Sequence, residues 1–428
     1  MSPQKHLPAV LKALRFHNRS THDLQSIPQK AWPALLDATD RAHLTLALAR
    51  CQDSLPESAR LRLDRNLADN AARYDRLLTT HSQIVDALSL YGIEYVLLKG
   101  LSQAPRYIDD PRQRPQYDID IYVPGDAMPA AAKALCALGY GFVSDTLDPG
   151  ADHLPVMIRR TGWTWRGNYY DPAMAPSVEL HFRFWNPHSM RFDVGSLDQF
   201  WRRRTPRQID GLRLPTLDPA DGLSYSALHL IRHLLGGDMR LRHVYEIAHF
   251  LDSSAFDRAF WSHWWETGLP SCRVVEGIAF RLARDWFHCE LHPAAEETID
   301  RLPSLIQRWF SLFADSPSLG LEHSHKNELW LHFCLLNNAN NSKARREIAV
   351  RRLLPARATR VTRDPHVPSA KTSLILRIRR AAFEAGFLVR RGLHHLRGLV
   401  PTIRGAYLWR SACRFQADRK PSSGTAPL

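Results

Sequence analysis

The stretch Arg114–Pro124, RPQYDIDIYVP, reads as a β-strand that carries two aspartates one residue apart, Asp118 and Asp120. A strand sends alternate side chains to the same face, so both carboxylates emerge together. Like charges held that close repel each other unless a positive charge sits between them. Whatever fold this chain adopts must supply that charge.

The neighbouring pattern places this strand in a small mixed α/β unit. The segment from Ser58 to Leu90 has apolar residues at helical spacing and stops at Tyr91-Gly92. The period then changes: IEYVLLKG reads as a buried strand closed by glycine, and LSQAPRYIDDPRQRP as a helical turn with a proline-broken connection. After YDIDIYV come an Ala/Leu helix, DAMPAAAKALCALGY, and a strand, GYGFVSD. LPVMIRR and VELHFRF add strands, and helices dominate after Leu197. The expected class is α+β, in four parts. These are an N-terminal helical region (1–91), an α/β core (92–195), a helical domain (196–342) and a basic tail (343–428), helical or partly disordered.

Charge separates the tail from the body. Lys343 onward holds 20 Lys/Arg against 4 Asp/Glu, so the first 342 residues carry a net charge of only −2 although the chain is +14. An anionic partner therefore belongs to the tail. The six cysteines are scattered with no CxxC pair, which argues against a disulfide framework or a zinc site. No apolar run reaches membrane-spanning length, and the basic N-terminus lacks the apolar stretch of a signal peptide. The expectation is a cytoplasmic protein, peripheral to the inner membrane if the tail binds lipid.

The chemistry gathers on the strands. Hard divalent cations take oxygen ligands, and Mg²⁺ commonly combines one or two carboxylates with substrate phosphates. Asp118 and Asp120 at i, i+2 suit two shared metal ions, with Glu179 of VELHFRF as a third carboxylate and His181 on the same face. Lys99-Gly100 closes the first strand; the glycine lets backbone N–H groups approach phosphate, and a helix starting there would add its positive end. Lys99 and Arg114 are candidate phosphate cations, Arg114 in a bidentate manner. Each piece alone has a plainer reading, as a solvated strand face or an ordinary turn; the order of the pieces carries the signal.

That order resembles the nucleotidyltransferase superfamily, with a glycine turn after a first strand, an acid-x-acid strand and a later acid. More narrowly it is similar to the uncharacterised nucleotidyltransferases of bacteria. The residues that carry the resemblance are Val96–Gly100, Arg114 with Asp118-x-Asp120, and Val178–His181, continuing into His229, His233, Leu241-Arg242 and Glu246. The resemblance implies that Asp118, Asp120 and Glu179 bind the metals and that Gly100 forms a phosphate turn. It also implies a Mg²⁺-dependent transfer of a nucleoside monophosphate from an NTP, ATP first among them, to an acceptor it does not name. The superfamily usually has Gly-Ser at the turn, where this chain has Lys99-Gly100-Leu101-Ser102. The competing reading is a catalytically inactive nucleotide- or protein-binding module of the same fold.

His229 and His233 are four apart on one expected helix, without the glutamate of a zinc protease. Trp261, Trp264 and Trp265 read as packing. In the tail, SLILRIRRAAFEAGFLVRRGLHHLRGLVPTIRGAYLWR mixes leucines with arginines. It reads either as amphipathic helices on an anionic membrane, RNA or acidic protein, or as a helix docked by its apolar face.

Overall fold

Seven strands form one mixed sheet in the computed structural model, which describes residues 3–144, 147, 150–315, 326–336, 341–353 and 374–417. They are β1 (Val96–Leu97), β2 (Asp118–Tyr122), β3 (Tyr140–Phe142), β4 (Met157–Arg159), β5 (Ser177–His181), β6 (Thr205–Ile209) and β7 (Leu212–Thr216). Their order across the sheet is β3-β4-β5-β2-β1-β7-β6. β2 runs parallel to β5 and antiparallel to β1, so the strand with the paired aspartates is central. The parallel register sets Asp120 beside Glu179, and Tyr122 beside His181. Asp118, Asp120, Glu179 and His181 therefore share one face of the sheet.

The other face is the core. Ile119, Ile121, Val178 and Leu180 turn that way and are fully buried. They pack with Tyr74, Leu77, Ile84 and Leu88 of helix α1 (Glu57–Leu90) and with Ala131, Ala134 and Leu135 of helix α2 (Met128–Ala137). Alternation thus splits the central strands into an apolar layer that holds the sheet and a polar layer that remains available for chemistry.

Helices do not take over at Leu197 as the sequence pattern suggests. Thr205–Ile209 and Leu212–Thr216 form a β-hairpin, and β7 extends the sheet by pairing Thr216 with Leu97 of β1. Its turn is Asp210-Gly211, both with positive φ (45° and 82°), the backbone of a tight hairpin turn. Arg207 of β6 donates to the carbonyls of Ser102 and Ala104 at 2.8 and 2.7 Å, which fastens the loop that follows β1. Beyond the hairpin lie α3 (Pro219–Gly236), α4 (Leu241–Ser254), α5 (Arg258–Thr267) and α6 (Arg273–Phe287). Trp261 and Trp264 are buried there, whereas Trp265 is about half exposed.

The chain divides into two compact units. The first holds the described residues up to His233 and from Met239 to Arg301, including the whole sheet. The second holds Leu234–Asp238 and the described residues from Leu302 onward. In this second unit Leu329, Leu336, Ala344 and Ile348 form a small core, and Trp409 of a long C-terminal helix meets the Phe313 ring. Parts of the basic tail, residues 354–373 and 418–428, lie outside the described residues. The six cysteines are free, and among the described residues no helix is long and apolar enough to cross a membrane.

Candidate active site

The polar face of β2 and β5 presents a tight cluster. His181 Nε2 stands 3.1 Å from Asp120 Oδ1 and 3.6 Å from Glu179 Oε2. These three groups are the convergent set of metal-ligating atoms among the described residues, all within 4.8 Å of one another. Asp118 is outside that set, at the more open end of the strand. Lys99, immediately after β1, joins it to the cluster: its Nζ lies 3.3 Å from Asp120 Oδ1 and 3.6 Å from Asp118 Oδ2. Leu98 N–H donates to the Asp120 carbonyl at 3.1 Å, so the β1–β2 pairing itself delivers Lys99 to the acids.

Electrostatics follow from crowding. Burial alone would lower the Lys99 pKa, but Asp118, Asp120 and Glu179 together raise it. Burial opposes the charge of Glu179 too, yet the His181 hydrogen bond and Lys99 hold its carboxyl down at about 2. His181 is raised to about 9: its bonds to Asp120 and Glu179 outweigh the burial that would lower it. Asp120 is only 1% exposed, and its Oδ2 has no hydrogen-bond partner. A buried carboxylate oxygen without a donor is costly, and a cation is the simplest remedy. The donor set therefore fits a divalent cation, with the buried Asp120 carboxylate, the partly exposed Glu179 and Asp118 carboxylates and a buried imidazole.

His153, unnoticed in the sequence, brings its Nε2 to 3.8 Å from Glu179 Oε2 and bridges His181 through the backbone. Asp152, buried next to it, pairs with Arg232 of α3. No local spacing advertises these residues; they meet because the chain returns beside β5.

Gly100 has φ +80°, which only glycine adopts freely, but its surroundings are full. Its N–H donates to Gln103 Oε1 at 3.1 Å, and the Gln116 carboxamide fills the place of a Cβ. The segment after it, Gly100–Gln103, is a single 3₁₀ turn and not the helix that a dipole argument needs. Arg114 is drawn elsewhere as well. It is buried, with Nε 2.8 Å from Glu246 Oε1 and a terminal nitrogen 2.7 Å from Gln103 Oε1.

Arg114 and Lys99 both line a cleft walled by α3 and α4, together with Arg242, His229, His243 and Glu246. Three fixed cations face one carboxylate there. Burial keeps His229 and His243 well below the usual histidine range, seconded by Lys99 at His229 and by His233 and Arg242 at His243. The rings of His229, His233 and His243 form a triangle with centroids 4.5–5.1 Å apart. His243 comes from the second helix, so the i, i+4 pair in the sequence shows only part of this group. An electropositive wall with neutral imidazoles suits an anion better than a metal.

No curated protein and no solved structure is significantly similar to the chain. A family model described as uncharacterised nucleotidyltransferase matches residues 28–288, more than half of the chain and a span that contains every group of this cleft. On that match the chain belongs to the uncharacterised nucleotidyltransferase family.

Proposed function

We propose that the protein transfers a nucleoside monophosphate from an NTP, ATP first among them, to an acceptor hydroxyl, with Mg²⁺ as cofactor. The observation that carries this reading is the register of Asp120 against Glu179 on adjacent parallel strands, beside an electropositive cleft in a chain of this family. Asp120 and Glu179, with Asp118 at the open end, would hold the metal. When bound, a divalent cation supplies positive charge against the transferring phosphoryl group and acidifies an acceptor hydroxyl. The triphosphate lies along Lys99, Arg114 and Arg242, which offset its charge. His229 and His243 offer neutral donors on the same wall. The filled surroundings of Gly100 make it a support for this wall in our reading, since a phosphate there would have to displace Gln103 and Gln116. Glu179 either binds the acceptor-side metal or, where it does not, takes the acceptor's proton.

Incubation with α-labelled ATP, CTP, GTP or UTP and panels of hydroxyl acceptors, small molecules and proteins, tests the reading. Mg²⁺-dependent transfer of label with release of pyrophosphate is expected. Release of γ-phosphate in place of pyrophosphate would contradict it.

Lys99 favours a second reading. Its ammonium already stands against both aspartates, where a cation would be needed. If it stays there, the fold is a nucleotide-binding module without turnover, and nucleotide binding is indifferent to Mg²⁺.

A further inference from the structure

The second unit ends in helix α7 (Leu374–Ala417), which presents two faces. One is docked. Gly398, Gly405 and Trp409 are buried, Asn327 fills the place of a Gly405 Cβ, and Arg308 donates to the Ala412 carbonyl. The opposite face is apolar and open. Val389, Leu393, Leu396, Val400, Ile403 and Tyr407 are between 48% and 73% exposed. Their spacing alternates four and three residues, so they form one stripe along the helix, about 27 Å from end to end. Six large apolar side chains in line are more than the scattered exposed residues of an ordinary surface.

Charge decides what covers the stripe. Between Val389 and Tyr407 the sequence has four arginines, Arg390, Arg391, Arg397 and Arg404, and no acid. A second copy of this helix would bring arginine against arginine with nothing to offset them. RNA would answer the arginines, but it is bound by stacking on aromatic rings, and five of the six stripe residues are aliphatic. The longer stretches of chain outside the described residues offer no apolar run of their own: 316–325 reads SPSLGLEHSH, 354–373 reads LPARATRVTRDPHVPSAKTS and 418–428 reads DRKPSSGTAPL. An anionic lipid surface satisfies both demands, because headgroups attract the exposed Arg397 and Arg404 and the acyl boundary takes the Val, Leu and Ile side chains. The helix is too polar to span, so it would lie in the interface.

We propose that α7 is a membrane-docking helix that lies on anionic bilayers through Val389, Leu393, Leu396, Val400, Ile403 and Tyr407. This is independent of the reaction at the sheet, whose groups all lie in the other unit.

Flotation of the full-length protein with phosphatidylcholine vesicles, and with vesicles containing one quarter phosphatidylglycerol, tests it. Binding to the anionic vesicles that weakens as NaCl rises is expected, with little binding to the neutral ones. Val400→Glu and the double variant Arg397→Glu/Arg404→Glu change exposed positions and should leave the circular dichroism spectrum unaltered. Each should weaken vesicle binding at least ~20-fold, on the scale of charge reversal near a membrane surface. Three results would overturn the proposal: no vesicle binding by the folded protein, equal binding by the Val400→Glu variant, or a dimer by light scattering that Val400→Glu breaks. Displacement from vesicles by RNA that binds the Val400→Glu variant as tightly as the parent would also overturn it, in favour of nucleic acid.

Discussion

His181 and Glu179 show how one residue pair can store a pH dependence. The histidine is raised from 6.5 to about 9, because hydrogen bonds to Asp120 and Glu179 overcome its burial. Glu179 is lowered from 4.5 to about 2, with burial overcome by His181 and Lys99. A histidine whose folded pKa is raised stabilises the fold fully below pH 6.5 and loses that contribution as pH rises toward 9. A carboxylate whose folded pKa is lowered contributes above pH 4.5 and loses it as pH falls toward 2. In EDTA the Tm is therefore expected to decline between pH 6.5 and 9, and His181→Gln to flatten that decline. A flat Tm across this window in the parent protein would show that His181 is not held charged. At this scale the sequence was partly legible. The i, i+2 aspartates and the acid-x-His of VELH could be read because strand alternation fixes their face. The His153 contact and the orphaned Asp120 oxygen could not, since they depend on where a distant loop and a neighbouring lysine come to rest.

Among the elements, the β6–β7 hairpin was the one most clearly missed. Asp210-Gly211 between two runs is a known hairpin signal, but Pro206 and Pro215 within those runs weaken the strand pattern. The structure resolves the conflict by pairing the two prolines with each other, with β6 at the sheet edge. The hairpin matters to the site because β7 pairs with β1, which delivers Lys99, and because Arg207 holds the following loop. Gly211 has φ 82°, a conformation that a β-branched residue resists. Gly211→Val is expected to cost about 1–3 kcal/mol and to lower the Tm accordingly, measured by thermal unfolding. An unchanged Tm would mean that the turn is not the fixed point of this hairpin. The helices that flank the sheet were read closely, α1 within a residue of its start, because a 3.6-residue period over many turns is a strong signal and a two-residue strand is not.

Across the whole molecule the sequence separates a near-neutral body from a basic tail by charge, whereas the compact units divide elsewhere, with Leu234–Asp238 and the described residues from Leu302 of that body in the same unit as the tail. The groups of the candidate site gather in the unit that holds the sheet, and the arginine-rich helix belongs to the other. What could not be read was the cleft wall: Arg114 and Glu246 meet at 2.8 Å across 132 positions of chain, a contact that no spacing rule anticipates. That wall and the acid cluster are one site only if nucleotide and metal bind together. Calorimetric titration of a non-hydrolysable ATP analogue, with and without MgCl₂, tests this without knowledge of the acceptor. The account predicts that Mg²⁺ tightens nucleotide binding by roughly tenfold or more, about 1.4 kcal/mol, and that Asp120→Asn abolishes the difference while the protein stays folded. Nucleotide binding of equal strength with and without Mg²⁺ in the parent protein would contradict it.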